Sequence, residues 1–175
     1  ISYGGPYCAS LSGDVAVVQT GTTGGIYTAS PNGLTINATT GTITPSSSTP
    51  GNFTVSYTIA ATGGCQELVK TATVTINAEP NATISYNGGT FCITEATAQP
   101  VSFSGTTGGY YTATPAGLNL NTTTGAILPS SSTPGIYAVT YHVNPSGGCQ
   151  AYTSNPTAVE ILAGSTATID RKSVV

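Results

Sequence analysis

Four cysteines are the residues of this sequence whose type and spacing most clearly indicate chemistry. Cys8 and Cys65 have 56 residues between them, and so do Cys92 and Cys149. This separation is far too long for a Cys-x-x-Cys redox motif or for the ligand spacing of a zinc site. The cysteines therefore favour structural disulfides over redox or metal chemistry.

No other group of side chains has the spacing of a catalytic or metal-binding site. His142 is the only histidine, and without a neighbouring acid or cysteine pair it builds neither a triad nor a metal site. We therefore expect it on the surface. The acidic residues are scattered, at Asp14, Glu67, Glu79, Glu95, Glu160 and Asp170. We predict no catalytic residues, no cofactor, no metal and no enzymatic activity.

An internal repeat places these cysteines in equivalent positions. Cys8 and Cys92 are 84 residues apart, as are Cys65 and Cys149, and further matches follow at the same offset. They include Thr22–Gly25 with Thr106–Gly109, Ser46–Gly51 with Ser130–Gly135, and Gly63–Gln66 with Gly147–Gln150. We predict two domains, residues 1–79 and 80–163, because self-similarity at a fixed period indicates a repeat architecture. Residues 164–175 align with the start of a repeat, so they are expected to form the first strand of a further repeat or a donor strand.

One disulfide per repeat is the simplest pairing, Cys8–Cys65 and Cys92–Cys149. On the chain-entropy model each bridge contributes about 4 kcal/mol. Such bridges persist only in oxidising compartments, which predicts an extracellular or cell-surface location. Buried free thiols in a cytosolic protein are the alternative. Because no signal peptide is present and Ile1 begins within a strand, we expect the chain to be processed or to be a window of a longer protein.

Alternating apolar residues predict β-strands throughout. Phe53, Val55, Tyr57 and Ile59 fall on one face of the run 52–59, and the run 136–143 repeats this pattern. Ala72, Val74 and Ile76 alternate in the same way, with Val159 and Ile161 as counterparts shifted by one residue. Further strands are expected at 14–20, 25–30, 98–104 and 109–114. Gly41 and Gly125 are expected to supply a positive φ in a turn. Short strands separated by turns predict an all-β sandwich.

Charge and hydropathy exclude two classes of partner. Only nine residues are Asp, Glu, Lys or Arg, and no basic patch is present, so nucleic acid is not expected as a partner. No apolar run approaches 18 residues, so no membrane insertion is expected. Surface glycans stay a further candidate beside neighbouring repeats and identical subunits. Sequons place possible glycosylation at Asn37, Asn52, Asn81 and Asn121. A sugar could stack on five tyrosine rings, those of Tyr27, Tyr110, Tyr111, Tyr137 and Tyr141. Aromatic residues at alternating strand positions are, however, more typical of the core of a domain and of its rim.

The motifs resemble a family of Ig-like repeats in bacterial surface proteins. They are Pro31–Ile43 with Ser48–Tyr57, and Pro115–Asn121 with Ser132–Tyr141, each followed by Gly-Gly-Cys. Over residues 1–163 the chain looks most like the tandem repeats of very large Bacteroidetes adhesins, including gliding-motility adhesins. The resemblance implies two tandem immunoglobulin-like β-sandwich domains, export to the cell surface, many copies in series and no catalytic residues.

Three functions follow as hypotheses. The first is a structural repeat segment of a secreted cell-surface adhesin or stalk, which extends a binding tip from the cell. The second is a self-assembling extracellular filament subunit, in which residues 165–175 complete the sheet of an identical subunit by strand addition. The third is a carbohydrate-binding module. Expected partners are neighbouring repeats or identical subunits, with surface glycans as a further possibility.

Overall fold

The computed structural model describes residues 1–164, and these residues form β-strands, turns and two short 3₁₀ helices, Pro45–Ser47 and Pro129–Ser131. Contacts between Cα atoms divide the chain into two compact units. Unit 1 contains Ile1–Pro80 together with Pro145–Ala151, and unit 2 contains Asn81–Asn144 together with the described residues 152–164. The first boundary lies one residue from the predicted one. The segment Pro145–Ala151 differs from the prediction, because it belongs to unit 1. The predicted extra strand at 165–175 lies outside the described residues.

A four-stranded sheet with the order β1-β4-β3-β2 forms unit 1. Its strands are β1 (Tyr7–Cys8), β2 (Ile26–Ser30), β3 (Gly51–Ile59) and β4 (Leu68–Asn77). The pairs β2–β3 and β3–β4 are antiparallel. In contrast, β1 runs parallel to the end of β4 and places Cys8 opposite Asn77. This parallel pairing fixes where the first cysteine lies in the unit.

Unit 2 contains a five-stranded sheet and a two-stranded sheet. Its strands are β5 (Ala82–Tyr86), β6 (Thr90–Cys92), β7 (Val101–Gly105), β8 (Tyr110–Thr114), β9 (Gly135–Val143), β10 (Tyr152–Thr153) and β11 (Thr157–Leu162). The larger sheet has the order β10-β9-β11-β6, with β8 also paired to β9, and β5 pairs with β7. β6 runs parallel to β11, as β1 does to β4.

The buried faces follow the predicted alternation. In β3 the side chains of Phe53, Val55 and Tyr57 are buried, and in β9 every second residue from Tyr137 to Val143 is buried. Each unit has its own cluster of buried apolar residues. A shift of one residue would expose a whole face to water, so burial specifies the register.

An inserted residue explains the shift between the last strands of the two repeats. β4 is continuous, whereas its counterpart is divided into β10 and β11 at Ser154. The backbone N–H of Ser154 donates to the carbonyl of Tyr141 (2.8 Å), and the Tyr141 N–H donates to the Ser154 hydroxyl (2.9 Å). The hydroxyl thus satisfies a buried donor where the extra residue interrupts the ladder, as at a β-bulge.

Two predicted strands are shorter than expected. The segment 14–20 makes only isolated bridges, from Val15 to Ile43 and from Val18 to Ser2, because it changes partner within three residues. The segment 98–104 contains β7, which begins at Val101. The predicted positive φ is confirmed at Gly41 and Gly125, with values of 72° and 74°.

Candidate functional site

The structure contains one disulfide, and it joins Cys8 to Cys149 with the two Cα atoms 4.7 Å apart. Cys65 and Cys92 are free. The predicted pairs Cys8–Cys65 and Cys92–Cys149 are therefore wrong, and so is the expectation of one bridge within each repeat. The observed bond joins a residue of the first sequence repeat to a residue of the second.

The length of β4 explains why the predicted pair does not form. Cys8 lies beside Asn77 at the end of β4, whereas Cys65 lies just before the strand begins at Leu68. A ten-residue strand spans roughly 30 Å at about 3.3 Å per residue. Cysteines joined by a disulfide have Cα atoms within about 7 Å of each other. The same argument separates Cys92, beside the end of β11, from Cys149, which precedes β10.

The disulfide holds a glycine loop, residues Pro145–Ala151, against the end of β4. Ser146 and Cys149 exchange backbone hydrogen bonds of 3.2 and 2.9 Å, which close the loop. The Asn77 side-chain amide donates to the Gly147 carbonyl (2.7 Å). Because Cys149 is 6% exposed and Cys8 is 2% exposed, the bond is shielded from solvent.

Two adjacent glycines allow the loop to approach this closely. Gly147 and Gly148 both have positive φ, 58° and 81°. A Cβ atom on Gly148 would lie 2.4 Å from the Pro6 carbonyl oxygen, and one on Gly147 would collide with the Asn77 amide. Only glycine satisfies both the backbone conformation and the contact. The sequence showed a Gly-Gly-Cys motif in each repeat, but it predicted neither the docking of this loop nor the role of Asn77.

The disulfide is a strong covalent constraint. It closes a loop with a sequence separation of 141 residues. On the chain-entropy model a loop of this length contributes about 5 kcal/mol to stability. Disulfides of this kind persist in oxidising compartments, so the bond is consistent with an extracellular location.

The two free cysteines differ in their surroundings. Cys65 is exposed, in the loop between β3 and β4. Cys92 is half-buried at the end of β6, where its Sγ accepts a hydrogen bond from the Thr94 hydroxyl (3.0 Å). Hydrogen bonds from the Thr94 side chain and backbone lower the pKa of the Cys92 thiol below its ordinary value. A lowered pKa increases the thiolate fraction, which is the reactive form in disulfide chemistry.

His142 lies on the outward face of β9, as predicted. Its ring is stacked on Tyr110 with centroids 5.1 Å apart, and its nitrogens lie within 3.0 Å of the Thr112, Thr140 and Thr153 hydroxyls. All of these contacts are with neutral side chains, so among the described residues the histidine forms part of a polar sheet surface.

The tyrosines are mostly core residues. Tyr27, Tyr111, Tyr137 and Tyr141 are buried, whereas Tyr110 is 42% exposed. The pattern of core and rim is therefore confirmed, and a flat platform of several exposed rings is absent among these five.

Outside this set, burial raises the pKa of Tyr3 to about 12, with a smaller contribution from Tyr27. Burial also raises the pKa of Tyr86, whose hydroxyl donates to the Gly125 carbonyl (2.6 Å).

The four sequon asparagines, Asn37, Asn52, Asn81 and Asn121, are exposed. Asn37 and Asn121 also hold equivalent turns, because each Oδ1 accepts two backbone N–H groups. Glycosylation at these positions stays a prediction.

Within residues 1–164, no three His, Cys, Asp or Glu side chains lie near enough to one another to share a metal ion. No helix in the described part of the chain has the length and apolar character to cross a membrane.

Comparisons with known proteins found matches among solved structures and none among sequences. No protein-family model matches the sequence, and no curated protein matches it. Similar solved structures include the EC1-2 domains of human protocadherin-24 (12% identity, TM-score 0.44) and the four N-terminal Ig domains of Dscam1 (10%, 0.45). A third is BT4661, a SusE-like surface-located polysaccharide-binding protein of Bacteroides thetaiotaomicron (14%, 0.34).

The extent of these matches differs. The alignments cover 82% of this chain for the protocadherin fragment, 88% for the Dscam1 fragment and 91% for BT4661. They cover 83% of the protocadherin fragment, 42% of the Dscam1 fragment and 33% of BT4661. The chain therefore spans less than half of the latter two structures.

Proposed function

We propose that this chain is a structural repeat segment of a secreted cell-surface adhesin or stalk, of the kind found in Bacteroidetes gliding-motility adhesins. Its role is mechanical: copies of the repeat in series hold a binding tip away from the cell. The partners of each segment are neighbouring repeats, and the role requires no catalytic residue and no cofactor.

The observation that supports this proposal is the pairing of a repeated sequence with a shielded disulfide. The 84-residue period is built twice with the same buried alternation in β3 and β9. The Cys8–Cys149 bond then connects residues from the two copies. A covalent bond of this type resists extension of the intervening chain, which is the property that a load-bearing stalk requires.

Surface labelling of the producing cells tests the location. An antibody against the purified chain is applied to intact cells and to permeabilised cells, and a membrane-impermeant protease is added in parallel. We expect labelling and proteolysis on intact cells, with a cytoplasmic protein of the same cells unaffected. Trapping of thiols during lysis should find Cys8 and Cys149 oxidised. Labelling only after permeabilisation, with all four thiols reduced, would contradict the proposal.

The mechanical role needs a second experiment. Removal of one repeat from the gene should shorten the surface structure in electron micrographs while attachment at the tip is retained. An unchanged length would contradict the mechanical role, and ligand binding by the purified repeats alone would instead assign binding to the repeat itself.

A further inference from the structure

The loop of the first repeat has the same conformation as the docked glycine loop. Gly63 and Gly64 have φ values of 57° and 85°, against 58° and 81° at Gly147 and Gly148. The Cys65 N–H donates to the Thr62 carbonyl at 2.9 Å, as the Cys149 N–H donates to Ser146. The two Gly-Gly-Cys loops thus share the glycine φ values and this hydrogen bond, and the docked loop adds the return bond from the Ser146 N–H to the Cys149 carbonyl.

Their surroundings differ, however. Around Gly148 the backbone of residues 6–8 lies so close that no Cβ would fit. Around Gly63 and Gly64 nothing lies within 4 Å of the position of a Cβ. The first loop therefore has a conformation suited to close contact but no neighbour, and it ends in the exposed free thiol of Cys65.

The strand end at Cys92 is likewise equivalent to the strand end at Cys8. Cys92 lies opposite Leu162 in a parallel pair, as Cys8 lies opposite Asn77. The residue after each cysteine donates its N–H to the carbonyl of the cysteine's strand partner, at 3.0 Å after Cys92 and at 2.8 Å after Cys8. The carbonyl of each cysteine then accepts the N–H three residues later. Cys92 thus has the backbone setting of a bonded half-cystine, and it carries a free thiol.

We propose that the strand end at Cys92 is a docking site for the Gly-Gly-Cys loop of a second copy of this repeat, and that Cys92 and the loop cysteine close a disulfide there. By the same geometry, the loop at Cys65 docks on the strand end of another copy. Each repeat would then be bonded to the next in the way that Cys8 is bonded to Cys149. The inference names the bonds between repeats and in this sense rests on the proposed function.

The bond formation requires an oxidant, which we take to be a small-molecule disulfide such as oxidised glutathione. The loop thiolate of Cys65 attacks it, releases one reduced thiol and forms a mixed disulfide. The Cys92 thiolate then attacks the Cys65 sulfur and releases the second thiol. Two protein thiols are oxidised and one external disulfide is reduced to two thiols. The hydrogen bond from Thr94 to the Cys92 sulfur favours the thiolate that this step needs.

One contact distinguishes the two docking sites. Asn77 donates a side-chain hydrogen bond to the docked loop, whereas the equivalent position beside Cys92 is the exposed Leu162. A loop docked at Cys92 would lack this hydrogen bond. We therefore expect the bond at Cys92 to be reduced at a lower glutathione concentration than the Cys8–Cys149 bond.

Mixing two single-cysteine variants tests the proposal with the whole chain. Cys65→Ser leaves Cys92 as the free thiol, and Cys92→Ser leaves Cys65. Each variant alone and the equimolar mixture are equilibrated with oxidised and reduced glutathione, and then resolved on non-reducing gels. We expect a heterodimer in the mixture, with a Cys92–Cys65 peptide pair in the mass spectrum, and at least tenfold less dimer from either variant alone. The wild-type chain should form a ladder of linear oligomers.

A glycine variant provides the matched control. Gly64→Ala in the Cys92→Ser chain should reduce the heterodimer at least tenfold, because its Cβ would meet the backbone of the partner. Gly21→Ala has a comparable positive φ of 92° and open space outside the loop, and it should have no effect. Equal dimerisation of each variant alone, no cross-linked product, or no effect of Gly64→Ala would overturn the proposal. Because these tests use purified protein, they are independent of where the protein is located in the cell.

Discussion

Replacement of Gly148 by alanine should weaken the Cys8–Cys149 disulfide, and Gly64→Ala provides the comparison. The two glycines occupy equivalent positions, with φ of 81° and 85°. A left-handed conformation costs an alanine about 1–2 kcal/mol at either site. Only at Gly148 would the new Cβ also approach a backbone carbonyl, that of Pro6, to 2.4 Å. Each variant's free energy of unfolding in urea includes the conformational cost, so the extra loss of stability in Gly148→Ala, relative to Gly64→Ala, isolates the contact.

The size of the contact effect can be estimated. Carbon and oxygen atoms at 2.4 Å must separate, and overpacking of this kind costs about 1–3 kcal/mol. At about 1.4 kcal/mol for each tenfold change, this corresponds to about a 5- to 140-fold decrease in the effective concentration of Cys149 at Cys8. The loop at Gly64 has no such neighbour, so Gly64→Ala should leave the same quantity unchanged.

Equilibration with glutathione measures this effective concentration directly. The variants are made in a chain in which Cys65 and Cys92 are both serine, so that one bond alone is titrated. The fractions of reduced and oxidised protein are trapped by alkylation and quantified by mass spectrometry. If Gly148→Ala lowers the free energy of unfolding no more than Gly64→Ala does and leaves the glutathione equilibrium unchanged, the argument from close approach is refuted.

Three further results are expected. Ile127→Ala, at a fully buried position, should lower the free energy of unfolding in urea by about 2–5 kcal/mol, whereas Ile136→Ala, 67% exposed, should change it by less than about 0.5. Ser154→Ala should cost about 1–3 kcal/mol in the same assay, because it leaves the buried N–H of Tyr141 without an acceptor. Stability should fall as the pH rises from 10 to 12, since the folded state retains the Tyr3 proton to a pKa of about 12 whereas the unfolded state releases it near 10. The stabilisation that the protonated Tyr3 hydroxyl provides is complete below pH 10. A Tyr3→Phe chain should therefore lose less of its free energy of unfolding between pH 10 and 12.

The two separate clusters of buried residues indicate which part of the chain each substitution should destabilise. Ile127 lies in the core of unit 2, whereas Tyr3 packs on the core of unit 1. If the units unfold separately, each substitution should move one transition only. Probes specific to each unit, such as the fluorescence of tyrosines retained in that unit alone, would resolve this.

Much of the fold could be read from local sequence patterns. The alternation in residues 52–59 and 136–143 predicted β3 and β9 and their buried faces, because a strand has a side-chain period of two. The one-residue shift before Val159 was visible in the sequence, but the division of the strand into β10 and β11 that accommodates it was not predicted. Gly41 and Gly125 were identified because few residues other than glycine adopt positive φ in such turns.

The segment 14–20 shows where this approach fails. Its alternating valines resemble a strand, but a ladder requires a continuous neighbour, and this segment bridges to Ile43 and then to Ser2. Whether a neighbour is continuous is a property of the packed chain. Burial of Val15 and Val17 is therefore achieved without a regular strand.

The cysteine pairing separates most clearly what the sequence determined from what the tertiary structure decided. The repeat, its period and the equivalent positions of the four cysteines are determined by the sequence alone. Which cysteines meet depends on the parallel pairing of β1 with the end of β4, which places Cys8 at the opposite end of that strand from Cys65. A disulfide forms only between sulfur atoms that the fold brings together, and the order of residues along the chain does not specify that distance.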